Sequence, residues 1–213
     1  MATTVVTSGV GGTDGVAPGT SGNLLTSDGT NWTSAAAAGG GAWTLIGTQV
    51  ASASASLTQT GLDSTYDTYA IAFSDMIPAT DDVRAYFRVG DSGGIETAAN
   101  YAFHTSLVTD NSTSYDSRRG SAETSVRIGS DVGNATGEGF GGMLYLHRPG
   151  DGTMYPFWSG PVMSVTKDAG PRAAGGHHVG VYKSVITLDR VNVFFSSGNI
   201  TSGRMTVWGI AHA

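Results

Sequence analysis

The chain has 213 residues, and its 11 Lys and Arg against 17 Asp and Glu give a formal net charge of −6. This balance argues against a nucleic-acid partner, because a protein that follows a phosphate backbone is usually basic. The chain has no Cys, which excludes disulfides and thiolate sites, and no apolar run approaches the roughly 18 residues of a membrane span.

Glycine is unusually frequent, at 32 residues, whereas charged residues make up only 13%. The glycines follow no Gly-X-Y period and Pro occurs only 6 times, so a collagen helix is excluded. The composition instead predicts many turns between short strands. The first residues, MATTVVTSGVGG, lack the basic and long apolar regions of a secretory signal. A protein of this kind that acts outside the cell is expected to leave by lysis.

Residues 1–41 are predicted to form an extended, Gly-rich arm, separate from a domain over residues 42–213. The glycine triplet at 39–41 marks the boundary. The arm holds three large apolar residues that a plain linker does not need, Leu24, Leu25 and Trp32. Either the arm is a disordered tail, or these residues order it by packing on sister chains or on a docking partner. A hairpin turn at Asp28-Gly29 is also predicted.

From residue 42 onward, short β-rich runs alternate with segments rich in Gly, Asp, Asn and Ser, as in an all-β protein. We therefore predict an antiparallel β-sandwich, jelly-roll-like in its architecture, with no long helix. The predicted strands are 42–50, 54–60, 65–73, 83–90, 101–108, 123–129, 140–148, 154–165, 178–188, 191–196 and 204–212.

Two of these strands, 65–73 and 83–90, show the two-residue period of a half-buried strand most clearly. In 83–89, the residues Val83, Ala85, Phe87 and Val89 alternate with Arg and Tyr. Pro78 predicts a loop over 75–82 between this strand and the preceding one. The predicted core consists of Trp43, Leu45, Ile71, Phe73, Phe87, Leu144, Leu146, Val181, Val185, Phe194, Val207 and Ile210. The pattern leaves open whether Phe194 or Phe195 points inward.

No pattern in the sequence indicates catalysis, a cofactor or a metal site. Residues 137–142 match G-x-G-x-x-G, but a strand-like run follows them where a dinucleotide site needs a helix. His177 and His178 are neighbours, which point to opposite faces of a strand, so one chain cannot readily use both on one metal. A threefold assembly could still bring three copies of one His together around its axis as ligands of a metal. The Asp residues near 63–82 fit turn caps better than a calcium loop.

Three loops, at 110–120, 131–139 and 167–176, are the expected contact regions, because aromatic and Arg side chains near loops favour interfaces and sugar stacking. The candidate contact residues are Tyr115, Arg118 and Arg119.

Parts of the sequence resemble a module of bacteriophage tail fibres, head fibres and capsid decorations. The resemblance rests on LDSTYDTYAIAF with IPATD, on SGNITSGRMTVWGI at 197–210, and on GTSGNLLTSDGTNWTSA at 19–35. It implies a non-enzymatic virion protein that forms a homotrimer and is assembled in the host cytoplasm. A short tail fibre is expected, with the arm docked to other virion proteins and the head on a bacterial surface glycan or protein. The alternative is a capsid decoration protein or a head fibre.

Overall fold

A computed structural model describes residues 23–27, 30, 32–36, 42–110, 116–166 and 172–211. Within this part of the chain every strand pairing is antiparallel and no helix is present, so the predicted all-β antiparallel fold is confirmed. The strands are β1 (Asn23–Ser27), β2 (Trp32–Ala36), β3 (Trp43–Val50), β4 (Leu57–Thr60), β5 (Thr68–Pro78), β6 (Val83–Asp91), β7 (Gly94–Ile95), β8 (Tyr101–Thr109), β9 (Asp116–Glu123), β10 (Val126–Val132), β11 (Gly139–His147), β12 (Phe157–Thr166), β13 (Arg172–Tyr182), β14 (Arg190–Phe195) and β15 (Ile200–Ile210).

The chain divides into two compact units, Met1–Gly41 and Ala42–Ala213. In the first unit, β1 and β2 form an antiparallel pair in which Leu24 lies opposite Ala35 and Ser27 opposite Trp32.

The second unit consists of two layers of strands that join at one corner. The large layer has the order β3-β15-β5-β11-β12-β13-β8-β9, and the small layer has the order β4-β14-β6-β10, with β7 on β6. At the corner, Val132 of β10 pairs with Thr166 of β12. At the opposite side, Gln49 Nε2 donates to Gln59 Oε1 at 3.1 Å and links β3 to β4. The sheet is therefore nearly closed, like a flattened barrel.

The hydrophobic core fills the space between the two layers. Phe87 of the small layer packs edge-on against Phe73 and Trp158 of the large layer, with ring centroids 6.4 and 5.2 Å apart. Complete burial of such side chains stabilises the fold by roughly 1.5–3 kcal/mol each. The predicted core residues that are buried are Ile71, Phe73, Phe87, Leu144, Leu146 and Val207.

The core prediction is wrong for three residues, which lie on the surface. Trp43 is 42% exposed, Leu45 59% and Val185 45%. Trp43 and Leu45 occupy the face of β3 that points away from the small layer, and Val185 lies in the loop after β13. Strand alternation divides a strand into two faces, but it does not say which face another layer covers.

The pairing of β14 with β6 decides whether Phe194 or Phe195 points inward. Phe195 lies opposite buried Ala85 and is 5% exposed, so it points inward. Phe194, which we placed in the core, lies opposite Tyr86 on the outer face and is only partly buried. Two further predicted core residues, Val181 and Ile210, are likewise only half-buried.

Several strand boundaries also differ from the prediction, most of all around β13. The glycine-rich stretch at 172–176 was predicted as loop, yet it is strand, and the chain leaves the sheet at Tyr182 rather than at 188. Glycine is needed at Gly176, because a Cβ there would collide with the carbonyl oxygen of Ser106 on β8. The absent side chain thus allows a close approach of two strands and does not mark a turn.

The loop predicted around Pro78 is shorter than expected. β5 continues through Pro78, which pairs with Ile200 at the end of the strand, where a missing N–H is tolerated. Asp75, with a φ of 52°, lies where the register between β5 and β15 shifts. A bulge within β5 therefore replaces the start of the predicted loop, and residues 79–82 connect β5 to β6.

Candidate functional site

The second unit has two distinct ends. At one end it begins at Ala42, where Trp43 pairs with Ile210, Ile210 with Thr68, and Thr68 with His147. These pairs form one end of the large layer. Its strands extend from there to the other end, which lies roughly 25 Å away at about 3.4 Å per residue.

The strand ends that flank the three predicted loops lie at that far end. Thr166 pairs with both Val132 and Arg172, so the ends of β10 and β12 and the start of β13 lie side by side. The backbone N–H of Asp110 donates to the carbonyl oxygen of Ala173 at 3.2 Å, which adds the end of β8. The prediction of loop is wrong for 116–120 and 172–176, which belong to β9 and β13. The described strand ends around all three segments therefore lie opposite the point where the chain enters.

The candidate contact residues do not form one group. Arg118 and Arg119 lie on β9, an edge strand, where they face Thr105 and His104 of β8 respectively. Because neighbours on a strand point to opposite faces, the two guanidinium groups lie on different sides of the large layer. Tyr115 lies outside the described residues. A role for any of them in host contact stays a prediction.

The arm residues lie on the β1–β2 hairpin. Leu24 and Leu25 belong to β1 and Trp32 belongs to β2. Their proposed role in docking or trimer formation stays a prediction.

The outer side of the large layer is almost free of charge. We call it the apolar face: the outward positions of β3, β15, β5, β11, β12, β13 and β8. Among these described positions the Lys, Arg, Asp and Glu residues are Arg204 and Asp75, which is exposed at the bulge of β5 beside Met163. The residues exposed by 39% or more on this face are Trp43, Leu45, Val50, Val108, Phe157, Met163 and Val179. Soluble monomers rarely expose so continuous an apolar surface.

Aromatic rings connect the strands of the apolar face. Trp43 of β3 contacts Trp208 of β15 and Tyr145 of β11, at centroid distances of 6.0 and 6.4 Å. His147 of β11 stacks on Phe157 of β12 at 4.9 Å. Such rings supply large contact areas with few rotatable bonds, which favours them at interfaces.

Two shallow grooves cross the same face. One, of about 880 Å³, lies between Met143 and Met163 and has glycines along its floor. The other, of about 570 Å³, is lined by His104, Phe157 and Val179. Both are open and mainly apolar, so they fit side chains of a partner better than a polar substrate.

The outer side of the small layer has a different chemistry. We call it the arginine face: Arg84, Tyr86 and Arg88 on β6, Arg127 on β10 and Phe194 on β14. The ladder places Tyr86 between Arg127 and Phe194. The alternation in β6 predicted that Arg84, Tyr86 and Arg88 share a side, but nothing in the sequence indicated their partners on β10 and β14.

His178 is a fully buried titratable group, and its role is structural. The indole N–H of Trp158 donates to its Nε2 at 3.3 Å, so Nδ1 carries the proton and donates to Thr105 Oγ1 at 2.7 Å. Burial, followed by the nearby His177 and His104, lowers its pKa to about 3. The neighbouring His177 is exposed, as expected for opposite faces of a strand.

Within the described residues, no three His, Asp or Glu side chains come together as metal ligands. In the G-x-G-x-x-G stretch, Gly137 and Glu138 lie in a turn, where Glu138 Oε2 accepts from the Ala135 N–H at 2.9 Å, and residues 139–142 belong to β11. The interpretation as a loop is therefore wrong for 139–142, but the predicted strand, and not a helix, follows the turn. In the same part of the chain, no helix has the length and apolar character needed to cross a bilayer.

No family model, curated protein or solved structure matches this chain.

Proposed function

We propose that this chain is a structural protein of a bacteriophage particle, and specifically a short tail fibre. In this proposal the arm at 1–41 docks to other virion proteins and the head contacts the bacterial surface. The sequence resemblance motivates the choice of particle. The observation that carries the fibre assignment is that the head has two distinct ends. Its entry point at Ala42 and the strand ends that flank the three predicted contact loops lie at opposite ends of the large layer.

The apolar face supports self-association of the head. The seven strands from β3 to β8 are about 4.8 Å apart, so the face measures roughly 29 by 25 Å, or about 700 Å². Stable complexes bury about 800 Å² on each partner, and the centres of their interfaces are poor in charged residues. The face meets both conditions. That the assembly is a trimer rests on the resemblance.

The proposal includes no catalytic step. His178, whose imidazole could act as a base elsewhere, is neutral, buried and held between Trp158 and Thr105. Its contacts support the fold and leave no nitrogen free for a substrate.

A second candidate, a capsid decoration or head fibre, is favoured by the breadth of the apolar face. A broad uncharged surface of this kind also suits a lateral contact with a neighbouring lattice protein.

Labelling of intact virions with an antibody against the head, followed by electron microscopy, separates these candidates. Label at the tail end supports the fibre, label over the capsid supports the decoration, and absence from purified virions contradicts both. A full-length variant with Leu24, Leu25 and Trp32 changed to Ser tests the arm. We expect it to fold and assemble but to be missing from particles, whereas wild-type incorporation would exclude docking through these residues.

A further inference from the structure

The arginine face combines positive charge and aromatic rings in one small area. Arg84, Tyr86 and Arg88 occupy alternate positions of β6, so their side chains leave the same side of the strand. Phe194 of β14 and Arg127 of β10 lie on either side of Tyr86. The group spans roughly 14 Å along β6, at about 3.4 Å per residue.

Contacts with the protein fix the geometry of this group. Tyr86 and Phe194 are stacked, with centroids 5.5 Å apart and an interplanar angle of 23°. The guanidinium carbon of Arg88 lies 4.5 Å from the centre of the Phe194 ring, and Arg88 Nε donates to the carbonyl oxygen of Thr124 at 2.9 Å. A guanidinium held in this way loses little conformational freedom when it binds a further acceptor.

The positive charge of the group is only partly compensated. Arg84 and Arg88 form no ion pair within the described part of the chain, while Arg127 contacts Asp131 at 3.5 Å. Burial and the positive charges of Arg84 and Arg118 lower the pKa of Arg127, and Asp131 offsets part of this effect. The face is thus locally basic, in a chain whose net charge is −6.

We propose that the arginine face binds an anionic saccharide, through guanidinium contacts to its carboxylate or phosphate groups. Arg recognises both groups with paired N–H donors, and the flanking rings offer flat apolar edges to a sugar. A glycan with one charge per repeat matches a few arginines spread over this distance. A dense polyanion such as nucleic acid would meet repulsion from the rest of the acidic protein. This inference rests on the proposed role in host contact and names the chemical class of the contacted glycan.

The test is binding of the full-length protein to defined polymers by isothermal titration calorimetry. Polygalacturonate carries carboxylates, a glycerol-phosphate teichoic acid carries phosphates, dextran is neutral, and a DNA duplex tests the nucleic-acid alternative. We expect binding to one or both anionic glycans, weakened by added salt, and no binding to dextran. No binding to either anionic glycan, or tighter binding to DNA, would overturn the proposal.

Matched variants assign the binding to this face. Arg84→Gln with Arg88→Gln should weaken glycan binding at least tenfold, and exposed Arg84→Gln alone should weaken it severalfold without affecting the fold. Arg204→Gln removes an arginine from the opposite face and should leave binding unchanged. An equal loss in Arg204→Gln, or none in the double variant, would contradict the assignment. Virion labelling does not depend on these results, so failure here leaves the tail-fibre proposal to its own test.

Discussion

The two outer faces of the head are built alike and yet differ in chemistry. Each is the exposed side of an antiparallel layer whose inner side forms the core. The apolar face spans seven strands and carries only Arg204 and Asp75 as charged residues, whereas the arginine face places three arginines around Tyr86 and Phe194. The inner faces of both layers are mainly apolar.

This difference shows that the fold and the surfaces impose separate demands on the sequence. Burial in the core requires an apolar residue at every second position of a strand. The alternate positions are free to specify contacts with other molecules. A broad uncharged face favours a partner of the same character, such as another copy of the chain. A compact charged face favours a small ligand of opposite charge. The following predictions test this division, from the largest expected effect to the smallest.

Removal of the Trp158 ring, which packs between the two layers, should have the largest effect, because both outer faces depend on the folded head. Trp158→Ala should lower the free energy of unfolding by about 3–5 kcal/mol, because the side chain is 1% exposed and packs on Phe87 and Tyr101. Urea denaturation followed by fluorescence measures the change. A loss below about 1 kcal/mol would mean that the layers do not depend on this contact.

A charge placed on the apolar face should disrupt self-association and leave the arginine face intact. Val179→Lys introduces an ammonium group at a position that is 41% exposed on β13. We expect the dissociation constant of the oligomer to rise at least 100-fold, about 2.7 kcal/mol, as measured by analytical ultracentrifugation. Val185→Lys is the matched control, since Val185 is 45% exposed but lies in a loop off this face. Equal effects, or a monomeric wild-type head, would contradict an interface here.

Mild acid should destabilise the head through His178. Its pKa is lowered by burial from 6.5 to about 3, so below pH 6.5 the unfolded chain takes up a proton that the folded chain does not. Stability is therefore lost as the pH falls, by about 1–2 kcal/mol between pH 6.5 and 5 for this group. Burial lowers the pKa of His147 as well, which acts in the same direction. Denaturation at several pH values measures the slope, and His178→Gln should reduce it. A slope unchanged by this substitution would exclude His178 as its source.

Removal of the hydroxyl that accepts from His178 should have a smaller effect. Thr105→Val keeps the shape of the side chain but leaves the Nδ1–H of His178 without its acceptor at 2.7 Å. A loss of about 1 kcal/mol is expected, the lower end of the range for a buried donor that is left unpaired. Thr105→Ser, which keeps the hydroxyl, should lose less. Indistinguishable midpoints for Thr105→Val and Thr105→Ser in urea would argue against this hydrogen bond.

The sequence was informative wherever alternation ran without interruption. Val83, Ala85, Phe87 and Val89 are all buried, as the two-residue period of β6 indicates. It failed at β13, where the run of glycines resembles a turn. The backbones of β8 and β12 lie on both sides of this strand, and their proximity cannot be read from the local sequence.

The candidate sites were predictable to a lesser degree. The strand ends that flank the three predicted loops share one end of the head, and a role of these loops in host contact stays a prediction. Arg118 and Arg119 were grouped because both lie in the predicted loop 110–120, yet they belong to β9, where neighbouring side chains point to opposite faces. Tyr86, Arg127 and Phe194 come together from three strands, so no single segment could have shown the arginine face.

The sequence by itself determined the antiparallel all-β class, since short alternating runs separated by glycine-rich turns can bury an apolar side only by stacking sheets. Tertiary structure alone decided which of the two sides of each strand is covered. It also decided which outward residues become neighbours, because both depend on strand order and register. These long-range pairings gave the molecule one apolar face and one arginine face.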